Sequence, residues 1–225
     1  MRVIVFGASG MVGHGALRAC LADDAVTEVL AVVRTPLALD DPKVRQIVHT
    51  DFTDYSDIQH EFAGLDACLY CLGVSAAGLK EAEYTRVTYD YALAAARALH
   101  AASPDLTFVY VSGQGTDETG TSRQMWARVK GRTENDLLAM PMRAHMFRPG
   151  YIQPVGGAVS KTPLYRVIYR GTGFLFPLLR RALPRHVTTS DAVGRAMLTA
   201  VQRADDVPAI LRNPDINRLA VTPTP

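Results

Sequence analysis

The chain has 225 residues with a formal net charge of +2, and 48% of its residues are apolar and 20% charged. That length fills one α/β domain and needs no metal or disulfide to complete a core, and the composition excludes a disordered or fibrous chain. The near-neutral charge gives no general signal for nucleic acid, no apolar run approaches a membrane span, and MRVIVFGASG carries glycines where a secretory signal needs a continuous apolar stretch, so a cytoplasmic protein is expected.

Along the chain, VIVFG at 3–7 is a β-branched apolar run closed by glycine and predicts a fully buried strand, followed by apolar residues at helical spacing from Gly10 to Leu21. Further strands are predicted at EVLAVV (28–33), VRQIVHT (44–50), DACLYCL (66–72), LTFVYVS (106–112) and RAHMFRP (143–149), with ILR at 210–212 as a short last one. Helical segments lie between them, most clearly at 81–101 and 122–139. Ser190 reads as the cap of a helix over Asp191–Ala200. Strands alternating with helices imply a parallel sheet covered on both faces, that is, a doubly wound α/β domain of the Rossmann type. The whole chain, 1–225, is expected to be one such domain.

The three cysteines are Cys20, Cys68 and Cys71. In CLYC the last two have the spacing of a zinc or redox half-site, but positions three apart on a strand point to opposite faces, so structural thiols are expected and no metal site. Charge is uneven: residues 1–160 hold 14 Lys/Arg against 18 Asp/Glu, and 161–225 hold 10 against 4. The surplus includes Lys161, Arg166, Arg170, Arg180, Arg181 and Arg185, interleaved with Tyr165, Tyr169, Phe174 and Phe176. It reads as the solvated face of a small substrate-side cap over 151–185 rather than as a patch for nucleic acid or anionic lipid. Pro177, Pro184 and the GTG at 171–173 break any long helix there.

GASGMVG at 7–13 directly follows the first strand and opens the first helix, as a dinucleotide site requires. Gly7 permits the tight turn, Gly10 lets backbone approach a pyrophosphate, and Gly13 allows close packing of helix on strand, with Ser9, Met11 and Val12 completing the loop. The other reading is a glycine turn used for packing alone. At the end of the second strand stands Arg34, where a free adenosine ribose calls for an acidic residue, and a guanidinium there favours NADP over NAD. Asp51, after the third strand, is placed either to hydrogen-bond the adenine amino group, with Phe52 alongside, or to close an ordinary Asx turn.

With GASGMVG, HTDFTD, CLG at 71–73, VYVSG at 109–113, WARVK at 126–130 and FRPG at 147–150 in this order, the sequence resembles the short-chain dehydrogenase/reductase superfamily over roughly residues 1–200. More narrowly it looks like the atypical members related to epimerases, dehydratases and TIP30-like oxidoreductases. The resemblance adds Cys71, Leu72, Gly73, Lys130 and Pro149 to the expected cofactor site. It also implies a catalytic serine at Ser112 and a lysine at Lys130 that holds the nicotinamide ribose and lowers the pKa of a tyrosine. The tyrosine position is Trp126, the only tryptophan, and the asparagine position is Thr88. Indole has an N–H donor and no acidic hydroxyl, so Trp126 cannot shuttle a proton. It can wall a pocket or serve as a core aromatic.

Two functions compete. One is an NADP-dependent reductase or epimerase-like enzyme acting on a small carbonyl substrate, its proton supplied by Tyr151, Tyr84 or water. The other is a non-catalytic NADP sensor whose 161–185 segment responds to occupancy. The helices at 81–101 and 122–139 are also placed to pair in a homodimer, as in many relatives of this kind.

Overall fold

The structure, a computed structural model, describes residues 1–157 and 176–222. In chain order the elements are β1 (Arg2–Phe6), α1 (Met11–Ala22), β2 (Glu28–Val33), β3 (Val44–Val48), a 3-10 turn (Gln59–Phe62), β4 (Ala67–Tyr70), α2 (Glu81–Thr85), a π-helical turn (Arg86–Asp90), α3 (Tyr91–Ala102), β5 (Thr107–Val111), α4 (Met125–Leu138) and β6 (Arg143–Arg148). After them come β7 (Tyr151–Gln153), α5 (Phe176–Ala182), β8 (Val187–Thr189), α6 (Ser190–Gln202), β9 (Ile210–Arg212) and α7 (Asn213–Leu219).

Seven strands form one sheet in the order β3-β2-β1-β4-β5-β6-β9, and every pair is parallel. Parallel pairing requires crossover connections, and these put helices on both faces, which is why the strands read as continuous apolar runs. Val3, Val5, Val29 and Ala31 point to the face covered by α1 and α6, while Ile4, Phe6, Leu30 and Phe108 point to the face covered by α3 and the 3-10 turn. Cys68 and Cys71 fall on these two opposite sides. Chain order reverses between β1 and β4, and the carboxyl ends of those strands open the crevice where α/β sheets take ligands.

The predicted strands and helices all form, with shifts that have local causes. The third strand ends at Val48; His49 N still donates to Val33 O at 2.9 Å, and the His49 ring hydrogen-bonds the carbonyls of Asp51 (2.7 Å) and Asp54 (2.9 Å). The helix expected to begin behind Ser190 is capped by Thr189 instead, whose hydroxyl accepts from Ala192 N at 3.1 Å. Ser190 is helical, and its Oγ accepts from Val155 N at 3.1 Å. Residues 81–102 run as one helical stretch, with the π turn between a short first segment and the longer α3. Residues 158–175, with Lys161, Tyr165, Arg166, Tyr169, Arg170 and Phe174, lie outside the described residues, and so does most of the expected cap. Its flanks are described: β7 and β8 form a two-stranded parallel sheet that the sequence did not announce. Among the described residues no helix is long and apolar enough to cross a membrane.

Helices α1 and α6 cross at Gly15 and Gly194. A Cβ at Gly194 would stand 2.2 Å from the Gly15 carbonyl oxygen, and one at Gly15 would stand 2.2 Å from the Ser190 carbonyl oxygen. Gly194→Ala is therefore expected to destabilise the protein although alanine is favoured in an isolated helix by about 1 kcal/mol. The helices must part to admit the methyl, with a net cost of about 1–2 kcal/mol and a fall in Tm of roughly 2–8 °C by scanning calorimetry. An unchanged or raised Tm would show that the crossing can relax without cost.

Candidate functional site

The crevice above β1 and β4 is a cleft of about 740 Å³ whose lining includes Gly7 to Val12 on one side and Gly113, Lys130 and Pro149 on the other. Gly7 has φ +76°, in the left-handed region that favours glycine. Its carbonyl accepts from Gly10 N at 2.8 Å, and a Cβ on Gly13 would lie 2.1 Å from that same oxygen. The turn is thus pressed against the first coil of α1 as closely as backbone allows. Gly10, the N-cap, supplies no side-chain cap, so the first N–H groups of this 12-residue helix remain donors facing the cleft. Together with the helix dipole they form a cradle for an anion such as a pyrophosphate.

Val32, Val33 and Arg34 from the end of β2 line the adjoining wall, with Arg34 exposed at the strand terminus. Phe52 closes that side. It is 3% exposed and sits in an aromatic group, 5.7 Å from both His49 and Tyr91 and 6.5 Å from Phe6, ring centre to ring centre. His49 is the residue that shapes this wall, since its two bonds to loop carbonyls fold the chain back under Phe52. Sequence reasoning passed it over, although a histidine ending a buried strand just before an Asx turn signals a group that needs partners. Asp51 closes that turn: its Oδ1 accepts from Thr53 N at 3.0 Å and from Thr53 Oγ1 at 2.5 Å, and it does not line the cleft. Cys71, Leu72 and Gly73 line the floor beyond β4. Gly13 lies beneath the loop, in contact with Gly7 and outside the lining.

The far end of the cleft holds Ser112 and Lys130, and the structure brings these two together. The Lys130 ammonium donates to the Ser112 carbonyl and lies 4.0 Å from the place of a Cβ on Gly113. Desolvation pulls its pKa down to about 8, partly opposed by the Glu134 carboxylate one helical turn away. The Ser112 hydroxyl is engaged elsewhere. It donates to Glu134 Oε1, with the Phe147 carbonyl 3.1 Å away as a second acceptor, and a hydroxyl has one proton, for which the carboxylate is the stronger partner.

Glu134 is fully buried, and Arg148 of β6 answers its charge: Nε donates to Oε1 and Oε2 at 3.1 and 3.0 Å and Nη2 to Oε2 as well. The same Nη2 reaches Glu118 Oε2 at 2.5 Å. This network was missed from sequence. Its signals were an arginine inside an otherwise apolar strand and a glutamate four residues after Lys130, on the same helical face.

Trp126 does not line the cleft. It is half-buried on α4, and its Cη2 lies 3.1 Å from the place of a Cβ on Gly115, so it packs beneath the β5–α4 loop. The wall-of-the-pocket reading is replaced by a packing one, because the indole turns toward the glycine rather than toward the cleft. Thr88 is buried in the π turn. Tyr84 is buried, with its pKa pushed up by desolvation, and Tyr151 donates to Gln153 Oε1 at 2.9 Å; neither lines the cleft.

A glycine-cradled cleft at the switch point of a parallel sheet defines a dinucleotide-binding domain of the Rossmann type. Residues 7–151 match the family described as NAD(P)H-binding, and the chain belongs to that family. It is 30% identical over 144 residues to the Leucinostatins biosynthesis cluster protein T of Purpureocillium lilacinum, covering 62% of this chain and 52% of that one. It is 27% identical over 153 residues to Protein HTATIP2 of Rattus norvegicus, covering 67% and 62%. The chain thus spans between half and two thirds of these relatives. Among solved structures it shares the fold of an oxidoreductase of the short-chain dehydrogenase/reductase family from Burkholderia thailandensis, with TM-score 0.66, 20% identity and coverage of 93% and 88%.

Removing one partner of the buried pair leaves an uncompensated charge. Glu134→Ala is expected to lower unfolding free energy by about 3–5 kcal/mol in urea titrations. Glu118→Ala, whose side chain is 52% exposed, should cost less than about 1 kcal/mol. Equal effects would mean that Arg148 is held by both carboxylates alike.

Proposed function

We propose that the protein is an oxidoreductase that uses NADPH in preference to NADH to reduce a small carbonyl substrate. The observation that carries the reading is the single continuous cleft that joins the glycine cradle, Arg34 and Lys130. The residues fit a nicotinamide dinucleotide: backbone N–H groups of Ser9 to Val12 for the pyrophosphate, Arg34 for a 2′-phosphate and adenine face, and Phe52 with the chain at Asp51 beside the adenine. Cys71 to Gly73 and Pro149 bound the space for the ribose and nicotinamide, with Lys130 toward the ribose hydroxyls. The bound dinucleotide supplies the hydride. The chain's own part is to fix the geometry, exclude water and provide the proton. Residues 151–185 are assigned the role of a cap that closes the substrate side.

The engagement of the Ser112 hydroxyl by Glu134 favours a second reading, in which the nucleotide is bound and sensed without turnover. The two are separated by single-turnover assays of NADPH oxidation with aldehydes, ketones and quinones. Consumption above the no-enzyme rate supports the reductase, and binding without consumption across the panel supports the sensor.

Calorimetric titration should show NADPH bound more tightly than NADH. Arg34→Ala is expected to erase the difference, weakening NADPH roughly 10- to 100-fold, the scale of one or two charge-assisted hydrogen bonds, while leaving NADH within about threefold. A protein that binds neither nucleotide would leave the glycine loop a packing device and remove both readings.

A further inference from the structure

We propose that Lys130 is itself the proton donor of the reduction, a role that rests on the reductase reading and follows from what else lines the cleft. Among the described residues that line it, the groups that titrate are Arg34, Cys71 and Lys130. A guanidinium does not give up its proton in a protein. The Cys71 thiol is pushed well above its usual range by burial, and its Sγ faces Met197 Sδ at 3.9 Å. The Ser112 hydroxyl is bound to Glu134, and Trp126 lies against Gly115, outside the cleft. Lys130 remains, with its ammonium at the cleft end of α4.

The charges around it suit the task. On its own helix Glu134 favours the ammonium form; that carboxylate is paired with Arg148 of β6, which also takes Glu118 of the β5–α4 loop. From β5 the contact is an uncharged carbonyl, that of Ser112. From α2, which packs on α4, the buried Tyr84 is a neutral phenol. With a pKa near 8, Lys130 is mostly protonated at neutral pH and still a far stronger acid than a surface lysine, the range in which general acid catalysis works. In the step, hydride adds to the carbonyl carbon, the C=O π pair moves to oxygen, and that oxygen takes a proton from Nζ. The neutral amine left behind regains its proton from solvent. Oxidation of the alcohol runs the same transfers backward.

The chain has four lysines, Lys43, Lys80, Lys130 and Lys161, so lysine side chains labelled with 13C and 15N give a spectrum simple enough to assign. The Lys130 signal is the one lost in Lys130→Arg, which keeps the positive charge; Lys130→Met checks the assignment. Followed against pH on the protein alone, that signal is expected to titrate near 8. Titration at the ordinary lysine value, near 10.4, would overturn the proposal. With NADPH and a turned-over carbonyl, the wild-type rate of reduction should fall tenfold per pH unit above the Lys130 midpoint. At saturating NADPH, Lys130→Arg should lose at least about 100-fold in rate. An arginine variant that reduces at the wild-type rate would also overturn the proposal. Absence of nucleotide binding in the wild type would instead strike the reductase reading, and the lysine titration stays readable in that case.

Discussion

The contact between the Gly7 carbonyl and α1 at Gly13 is the constraint on which the site depends. It fixes the distance from the end of β1 to the first turn of α1, and so aims the uncapped N–H groups of that turn into the crevice. Any side chain at Gly13 would push the helix away and turn those donors with it. The Gly15–Gly194 crossing applies the same condition two residues further along, so α1 is held by close backbone contacts on both sides. A cradle for an anion is therefore built into the fold before any ligand arrives, and little reorganisation is left to oppose binding.

At the opposite end of the cleft the organising element is a buried charge rather than a close contact. Glu134 sits in the core only because Arg148 meets it through both carboxylate oxygens. An isolated carboxylate there would be neutralised or expelled. Once present, the pair draws in the nearest hydroxyl, and Ser112 supplies it. The cost is borne by the cleft, which gives up a hydrogen-bond donor. The gain is that α4 is tied to β5 and β6 at the level of Lys130, and the lysine's position becomes a property of the core rather than of a surface side chain.

How much of this was legible in the sequence differs by kind of signal. Strands such as VIVF and EVLAVV were plain because burial on both faces leaves no polar alternation, and the glycine loop was plain because its spacing is a backbone requirement. Strand ends were less so: where pairing with β2 gives way to the loop after His49 is set by the folded loop. The cap of α6 slipped by one residue because Thr189 and Ser190 both carry a hydroxyl, and only the fold shows which one Ala192 reaches. In the site, Arg34 was read from its position at the end of the second strand and Lys130 from the family resemblance. The direction of the Ser112 hydroxyl and of the Trp126 indole could not be read, since each depends on a partner distant in sequence or on a gap left by a glycine.

Those two orientations are coupled in their consequence. An indole at position 126 has no place in proton transfer, and turned against Gly115 it serves instead to hold the β5–α4 loop, the loop that carries Glu118 toward Arg148. Trp126 thereby supports the network that engages Ser112. Acidity of Lys130 in this fold is a balance between loss of water, which drives the proton off, and the Glu134 carboxylate, which holds it. Glu134 lies outside the cleft lining, so the protonation of Lys130 is governed in part from the core.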